Sequence, residues 1–436
     1  MADFARSESP AVQAQLDRLA KLSPAGDRLG LERISELLER LGRPQDHLPP
    51  VIHVAGTNGK GSTCAFLRAI LEAEGLKVHV FTSPHLIRFN ERIRIAGKLI
   101  SDEELSQLLE RVLSVGADVQ ASFFEVTTAV ALLAFAGTPA DACILEVGLG
   151  GRLDATNVIE HPLICAIAGL GIDHTNWLGR TLAEIAGEKA GIAKRGVPLV
   201  TQRYPPEAAQ RVQQMAEKAG ALWIARGALW DSRLIRDRIR YHDRHGRLDL
   251  PMPNLPGRHQ ADNAALAVAI LRHQDRLHVS PEAIAEGIRT TAWPARLQKL
   301  EAGALLDNLP RGSELWVDGG HNGAAARQVA EYASSRWGGA LPLMLIFAAL
   351  KTKDPKSLLR PFAGMASAVH TLAIPGHESR SPEDLAALAQ ELGFEATANE
   401  DLQAALDRIV QPARVLIFGS LYLAGQALQE NGTIPD

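Results

Sequence analysis

Val51-Ile52-His53-Val54-Ala55-Gly56-Thr57-Asn58-Gly59-Lys60-Gly61-Ser62-Thr63 is the stretch on which the reading of this chain turns. The apolar, β-branched run from Val51 to Ala55 reads as a buried strand. It feeds a loop of small residues punctuated by Gly56, Gly59 and Gly61, and an apolar helical pattern starts near Thr63. Glycines let backbone N–H groups crowd onto an anion, a helix N-terminus adds partial positive charge, and Lys60 supplies a full one. That order of parts holds the phosphates of a nucleoside triphosphate. The usual phosphate loop has a glycine where Val54 stands and a Ser or Thr where Gly61 stands. Here the hydroxyls of Ser62 and Thr63 come later. A glycine-rich turn without a ligand is the competing reading, and the strand–loop–helix context disfavours it.

Working outward, the first part of the chain alternates short apolar runs with amphipathic stretches. Strands are expected at Val51–Ala55, Val78–Phe81, Ala142–Val147, Leu163–Gly169 and Pro198–Thr201. Helices are expected near Cys64–Glu74, Asp102–Leu113, Glu125–Phe135, Leu182–Ile192 and Pro206–Ala219. Such alternation argues for a mostly parallel sheet covered by helices on both faces. Residues 225–256 break the pattern with clustered charges between Arg233 and Arg247 and then Pro251, Pro253 and Pro256. They read as a small antiparallel excursion or a long connection. Helices at Gln260–Gln274 and Pro281–Thr290 follow, and Ala292–Arg296, with Trp293 and Pro294, reads as the end of the first domain. Alternation then resumes on a smaller scale. Strands are expected at Leu315–Val317, Leu343–Phe347, Ala368–Ile374 and Val415–Phe418, with helices near Ala324–Trp337, Pro355–Pro361, Pro382–Leu392 and Leu402–Val410. The expected architecture is α/β in two domains, residues 1–297 and 298–436.

The whole chain of 436 residues, 46% apolar and 22% charged, can bury cores of that size. A net charge of −4 and the lack of a Lys/Arg block give no footprint for nucleic acid. The start, Met1 to Pro10, has no basic stretch followed by an apolar one, so no secretory signal is expected. The longest apolar runs, around Ala129–Ala136 and Leu341–Leu350, are too short for a membrane span. Cys64, Cys143 and Cys165 lie in apolar segments and read as buried free thiols of a cytoplasmic protein.

With the segments placed, the sequence resembles the folylpolyglutamate synthase/dihydrofolate synthase family, relatives of the Mur ligases. The resemblance rests on several motifs: Gly56-Thr57-Asn58-Gly59-Lys60-Gly61-Ser62, Thr82-Ser83-Pro84-His85-Leu86, and Leu145-Glu146-Val147-Gly148-Leu149-Gly150-Gly151-Arg152-Leu153-Asp154-Ala155-Thr156-Asn157. Asp173-His174-Thr175, Glu188-Lys189-Ala190-Gly191-Ile192, His259-Gln260-Ala261-Asp262-Asn263-Ala264-Ala265 and Asp318-Gly319-Gly320-His321-Asn322 follow in the family's order. The resemblance implies a Mur-ligase-like ATPase domain followed by a smaller Rossmann-like domain. It also implies an ATP-dependent ligase that phosphorylates a carboxylate and lets the amine of glutamate attack the acyl phosphate. Dihydropteroate or a reduced folate would be the acceptor.

The same resemblance supplies roles. Thr57, Asn58, Gly59, Lys60, Gly61 and Ser62 would hold ATP, with Asn263, Arg296 and Asp318 from outside the loop. Ser83, Glu146, His174 and Lys189 would hold two magnesium ions, Lys189 as a carbamate. Position alone already makes Glu146 suggestive, since ligands of α/β sheets bind at the carboxyl ends of strands. Alone, Ser83 would be a turn or cap residue and His174 a structural histidine. Unmodified, Lys189 would stabilise the transferring charge directly, or be a solvated face residue. Ser122, Phe123, Phe124 and Glu125, with Arg152, Leu153 and Asp154, would approach the pterin; the aromatic pair reads equally as core packing. Gly30-Leu31-Glu32-Arg33 resembles the pterin-proximal segment, from which the preceding Leu22–Leu29 departs. Arg296, at the domain junction, is a candidate to swing onto the phosphates as the domains close, or a structural hinge residue. His321, assigned a catalytic place, and Ser420 would lie near the incoming glutamate.

Three other readings compete. Gly148-Leu149-Gly150-Gly151 hints at a dinucleotide fingerprint, but Leu153 occupies its third glycine position. A Mur-type ligase of cell-wall precursors would need an extra N-terminal domain for which the residues before 51 leave no room. A nucleotide-binding regulator without ligase chemistry would leave the metal-ligand candidates unexplained. No nucleophile-elbow or zinc spacing appears, in keeping with an intermediate carried on the substrate. A monomer working on small molecules is the expected unit.

Overall fold

Residues 7–22 and 29–435 are described by the computed structural model of the chain. Residues 1–6 of the leader reading, and residues 23–28 of the Leu22–Leu29 segment, lie outside the described residues. The chain divides into two compact units, one of residues 1–254 and 260–292, the other of residues 255–259 and 293–436.

The first unit is built on an eight-stranded sheet. Val51–Ala55 lies at its centre, paired in parallel with Ala142–Glu146 on one side and Ile164–Ile167 on the other. Val78–Phe81 extends the first side; Pro198–Thr201 and Leu222–Ala225 extend the second, all in parallel. A short antiparallel pair, Ile93–Ile95 and Lys98–Leu99, finishes the edge beyond Val78–Phe81. The chain leaves Ala55 toward one side of the sheet and later returns to Ile164 on the other. The loop after Ala55 therefore sits where strand order reverses, the position at which such sheets bind ligands.

Both faces of this sheet are buried, which explains why its strands read as unbroken apolar runs. Leu145 and Phe81 pack on one face against Leu105 and Leu109 of helix Asp102–Val115 and against Val126 and Val130 of helix Phe123–Ala136. Ile167 and Leu199 pack on the other against Ala186 of helix Leu182–Ala190 and Val212 of helix Pro206–Ala219. Each helix start carries its own local signal: Ser101 and Thr181 cap through their hydroxyls, and acidic residues complement the dipole in the first turns. All three cysteines are buried and unbridged. Burial pushes the Cys165 thiol up to about 12.

Residues 230–251 settle the open alternative as a three-stranded antiparallel sheet: Trp230–Ile235, Arg238–Asp243 and Gly246–Pro251. The expected helix starting near Thr63 in fact runs Lys60–Ala73. Gly59, at φ +83°, turns the chain straight from the loop into the helix, so Lys60 is already in its first turn.

The second unit has a six-stranded sheet in the order Gln298–Leu300, Glu314–Asp318, Arg414–Phe418, Leu343–Phe347, Ala366–Thr371 and Glu395–Ala398. All neighbours are parallel except the first pair. Helices Gly323–Arg336, Pro382–Glu391 and Leu421–Glu430 cover it. Among the described helices none is long and apolar enough to cross a membrane.

Candidate nucleotide and metal site

The loop of the first unit is held open by its own backbone. Thr57 and Asn58 both donate their amides to the Gly169 carbonyl, at 2.8 and 3.0 Å, and the Thr57 hydroxyl donates to Gly171 O at 3.1 Å. Those two amides are thus spent on fixing the loop to the strand end beside it. The amides free to meet phosphate belong to the first turn of helix Lys60–Ala73, where no intrahelical acceptor exists. Asn263 packs directly on this turn: a Cβ on Gly59 would lie 2.4 Å from Asn263 Oδ1. Asn263 in turn donates to Gln260 Oε1 at 3.0 Å, which fixes its amide. We expect Gly59→Ala to destabilise the protein by about 1–2 kcal/mol, from left-handed backbone strain plus displacement of Asn263. Thermal melts with and without Mg·ADP check this, and a variant with unchanged melting and unchanged ADP shift would contradict it.

Three charged groups converge on the loop. Glu146 ends its strand with a carboxylate that is 4% exposed, accepts the Ser83 amide at 3.1 Å, and stands 4.0 Å from Lys60 Nζ. Lys189 Nζ, from helix Leu182–Ala190, donates to Gly56 O at 2.9 Å. That helix can approach because Gly151 lies against it; a Cβ there would sit 2.8 Å from Glu188 O. Burial first, and Lys60 second, lower Lys189 to about 7, while Asp173 and Asp154 oppose them. Near neutral pH about half of this buried amine is therefore the free base. His174, at φ +51°, places Nε2 4.0 Å from Asp173 Oδ2.

Among the described residues no three His, Cys, Asp or Glu side chains form a cluster that could hold an ion. This suits magnesium, which keeps several waters and phosphate oxygens and needs one or two protein carboxylates. Ser83 and Glu146 fit one such hard ion, and His174 with Asp173 and Lys189 lies beside the same loop.

The pterin candidates divide by what already occupies them. Ser122 and Glu125 form a reciprocal capping box at the start of helix Phe123–Ala136, and Glu125 also pairs with Arg33 at 3.0 Å. The Ser122 hydroxyl and Glu125 Oε2 are engaged in starting the helix and tying Arg33 to it, while Glu125 Oε1 is buried without a hydrogen-bond partner. Phe123 lies edge-on to Phe89, and Phe124 covers Gly148 so closely that a Cβ there would meet its ring at 2.4 Å. Asp154, buried, accepts from Leu149 N at 2.7 Å and from the Thr156 amide and hydroxyl, and burial raises its pKa. It shapes the glycine turn. Arg152 pairs with Glu188 at 3.0 Å and is half-exposed, and Leu153 follows it in the turn.

In the second unit, Asp318 is the organising residue. Its carboxylate accepts from Leu297 N at 2.8 Å and Gly320 N at 2.7 Å, and burial raises its pKa. These bonds fix the turn that carries Arg296, whose guanidinium donates to Ala295 O at 2.9 Å. His321 Nδ1 lies 3.2 Å from Gly319 O, and buried Ser420 caps helix Leu421–Glu430. His259 is pushed down to about 4 by burial and then by Arg296. Sequence reasoning passed over two members of these networks. Asp173 and Glu188 each stand beside a stronger candidate, His174 and Lys189, and that adjacency is the signal the sequence carries for them.

A family profile described as dihydrofolate synthetase, C-terminal domain, matches residues 304–430. The dihydrofolate synthase/folylpolyglutamate synthase of Bacillus subtilis is 37% identical over 363 residues, covering 79% of this chain and 81% of that protein. The solved structure of Escherichia coli FolC in complex with DHPP and ADP is 30% identical and covers 97% of each chain, with a TM-score of 0.87. A bifunctional folylpolyglutamate synthase/dihydrofolate synthase from Yersinia pestis, complexed with AMPPNP and Mn ion, is 31% identical. It covers 98% of this chain and 99% of its own, with a TM-score of 0.85.

Proposed function

The chain belongs to the folylpolyglutamate synthase/dihydrofolate synthase family, and we propose that it joins L-glutamate to dihydropteroate and to the γ-carboxylate of tetrahydrofolate at the expense of ATP. One observation carries this reading: Lys60, the Ser83 amide, Glu146 and Lys189 meet at the loop that begins the central crossover. Phosphoryl transfer to a carboxylate brings two anions together, so the catalyst must first neutralise them. Lys60 and the first-turn amides of its helix bind the phosphates. Ser83 and Glu146 would hold one magnesium ion and His174 and Lys189 a second, and these ions would supply the remaining positive charge.

Each polar residue then has a defined task. Asn263, fixed by Gln260, contacts the nucleotide beside Gly59. Glu146 is oriented by Lys60 and the Ser83 amide. Lys189 reacts as a free base with carbon dioxide: its lone pair forms the N–C bond and the displaced proton goes to solvent, leaving a carbamate. Thr57 and Asn58 shape the loop. Phe124 and Arg152 face the pterin-bearing substrate, with Ser122, Phe123, Glu125, Leu153 and Asp154 building the wall behind them. Arg296 and Asp318 serve the nucleotide, and His321 the glutamate. Catalysis is positioning and charge neutralisation, with the acyl phosphate on the substrate.

We propose a monomer as the acting unit. Three buried unbridged thiols support a cytoplasmic setting. The test is phosphate release with ATP, magnesium and glutamate, with dihydropteroate and tetrahydrofolate as competing acceptors. Release that requires both a pterin and glutamate is expected; release with neither acceptor, or none with any pterin, would overturn the reading.

A further inference from the structure

Residues 82–92 join strand Val78–Phe81 to its antiparallel neighbour Ile93–Ile95, and Ser83 is the second residue of that loop. Thr82 N donates to Arg92 O at 3.0 Å, which closes the loop at its base. At its front the Ser83 amide lies on Glu146 at 3.1 Å. Residues 82–88 are neither helix nor strand, so their conformation has to be fixed by side chains.

Two adjacent residues do this. Glu91 Oε2 accepts the Leu86 amide at 2.7 Å, and Oε1 accepts those of Ile87 and Arg88 at 3.0 and 2.7 Å. Successive amides turned one way form a concavity for an anion, and here the chain fills it with its own carboxylate. Arg92 donates Nε–H to His85 Nδ1 at 2.9 Å. Every residue from His85 to Arg88 is thereby tied to Glu91 or Arg92. Asn90, beside them and 7% exposed, donates to Ile100 O at 2.9 Å and to Asp102 Oδ1 at 2.8 Å. Those two bonds anchor the pair to the body of the unit.

Arg92 is 1% exposed, and its guanidinium lies 5.5 Å from the centre of the Phe89 ring and 5.6 Å from that of Phe123. Burying a guanidinium carries a desolvation penalty that an apolar side chain between two phenylalanines would avoid. Such a side chain would lack the bond to His85, two positions from Ser83. Glu91 likewise spends both oxygens on the same loop. The two charges therefore serve the conformation of the segment that carries Ser83.

We propose that Glu91 and Arg92 are positioning residues for Ser83. By fixing residues 85–88 they hold Ser83 against Glu146, where its hydroxyl would join that carboxylate on the first magnesium ion. The proposal rests on the reading of Ser83 and Glu146 given under the proposed function. Neither Glu91 nor Arg92 is assigned a contact with nucleotide or acceptor; each acts through the loop.

The test uses the full chain with Ser83→Ala, Glu91→Gln, Arg92→Met and the double variant S83A/E91Q. Glu91→Gln keeps the shape but turns an NH₂ toward an amide N–H. Mn²⁺ is the probe: its affinity under saturating ADP is read from the electron paramagnetic resonance of the free ion, without turnover. Ser83→Ala, Glu91→Gln and Arg92→Met should each weaken Mn²⁺ about tenfold, the effect expected of groups that orient a metal ligand. The double variant should bind no more weakly than Ser83→Ala alone, because Glu91 acts through that residue. In turnover, the Mg²⁺ needed for half-maximal rate should rise while KM for glutamate holds. Thermal melts check the fold, and if Arg92→Met does not fold, the Glu91–Ser83 cycle decides alone. Losses that add in the double variant would show general support of the unit and overturn the proposal. Normal Mn²⁺ affinity in Glu91→Gln beside a weakened Ser83→Ala would also overturn it, and would leave the ligase reading intact. Normal affinity in Ser83→Ala would remove Ser83 as a metal ligand, and the proposal with it.

Discussion

Lys60→Ala is expected to lower kcat for phosphate release by about 10³-fold or more while the protein remains folded. Preorganised charge aimed at a transferring phosphoryl group is commonly worth about 10²–10³ for a single donor. Lys60 does more than that, because it also faces Glu146 at 4.0 Å. Removing it takes that cation away from a carboxylate that is 4% exposed. Glu146→Ala should fail as severely, and its loss should not be recovered by raising ATP, since the missing interaction acts in the transition state. Circular dichroism and an ADP-dependent melt establish that each variant is folded. A Glu146 variant with normal activity would remove the metal assignment, and a Lys60 variant with normal kcat would remove the charge argument.

Lys189→Met should separate activity from stability in opposite directions. Its folded-state pKa of about 7 lies below the usual 10.5 because the amine is buried beside Lys60. Between those values the unfolded chain binds a proton that the folded chain does not, so stability rises with pH across that window. The stability linked to this depressed value is fully present above 10.5 and is lost as pH falls through about 7. Methionine fills the same space with no charge to desolvate, and its cost is the lost bond to Gly56 O, about 1 kcal/mol. In carbon-dioxide-depleted buffer at pH 7.5 the variant should therefore be more stable by about 1–3 kcal/mol, raising the melting temperature by roughly 2–4 °C per kcal/mol. Its ligase activity should be lost. A variant that melts lower at pH 7.5 would show that the amine stabilises the loop outright, and one that retains turnover would exclude Lys189 from the chemistry.

Much of the fold was legible because buried parallel strands must be apolar throughout and their connecting helices must be amphipathic. Val51–Ala55, Val78–Phe81 and Pro206–Ala219 were readable to the residue for this reason. The elements that escaped were those whose reason for existing is non-local. Lys98–Leu99 is a strand only because Ile93–Ile95 lies beside it, and Glu395–Ala398 only because Ala366–Thr371 offers it an edge. Neither segment carries a β-branched run, so nothing within it announces extended structure. Helix Leu421–Glu430 escapes the sequence reading although Ser420 caps it, because in the sequence Ser420 reads as a candidate near the glutamate.

The sequence by itself determined the phosphate loop and the order of the motifs, because a glycine loop between a strand and a helix has few other uses. It also placed Glu146 at a strand end, since the run from Ala142 stops there. Only the tertiary structure decided what each polar atom is doing. Thr57 and Asn58 turn their amides to Gly169, Ser122 and Glu125 close on each other as a cap, and Asp154 is consumed by Thr156 and Leu149. It alone brought Lys189 to Gly56, 133 positions away in the chain, and placed Asn263 against Gly59. The reason is physical: a hydrogen bond is decided by distance in space and by which partner reaches first. A residue's type lists the bonds it can make, and only the packed chain selects among them.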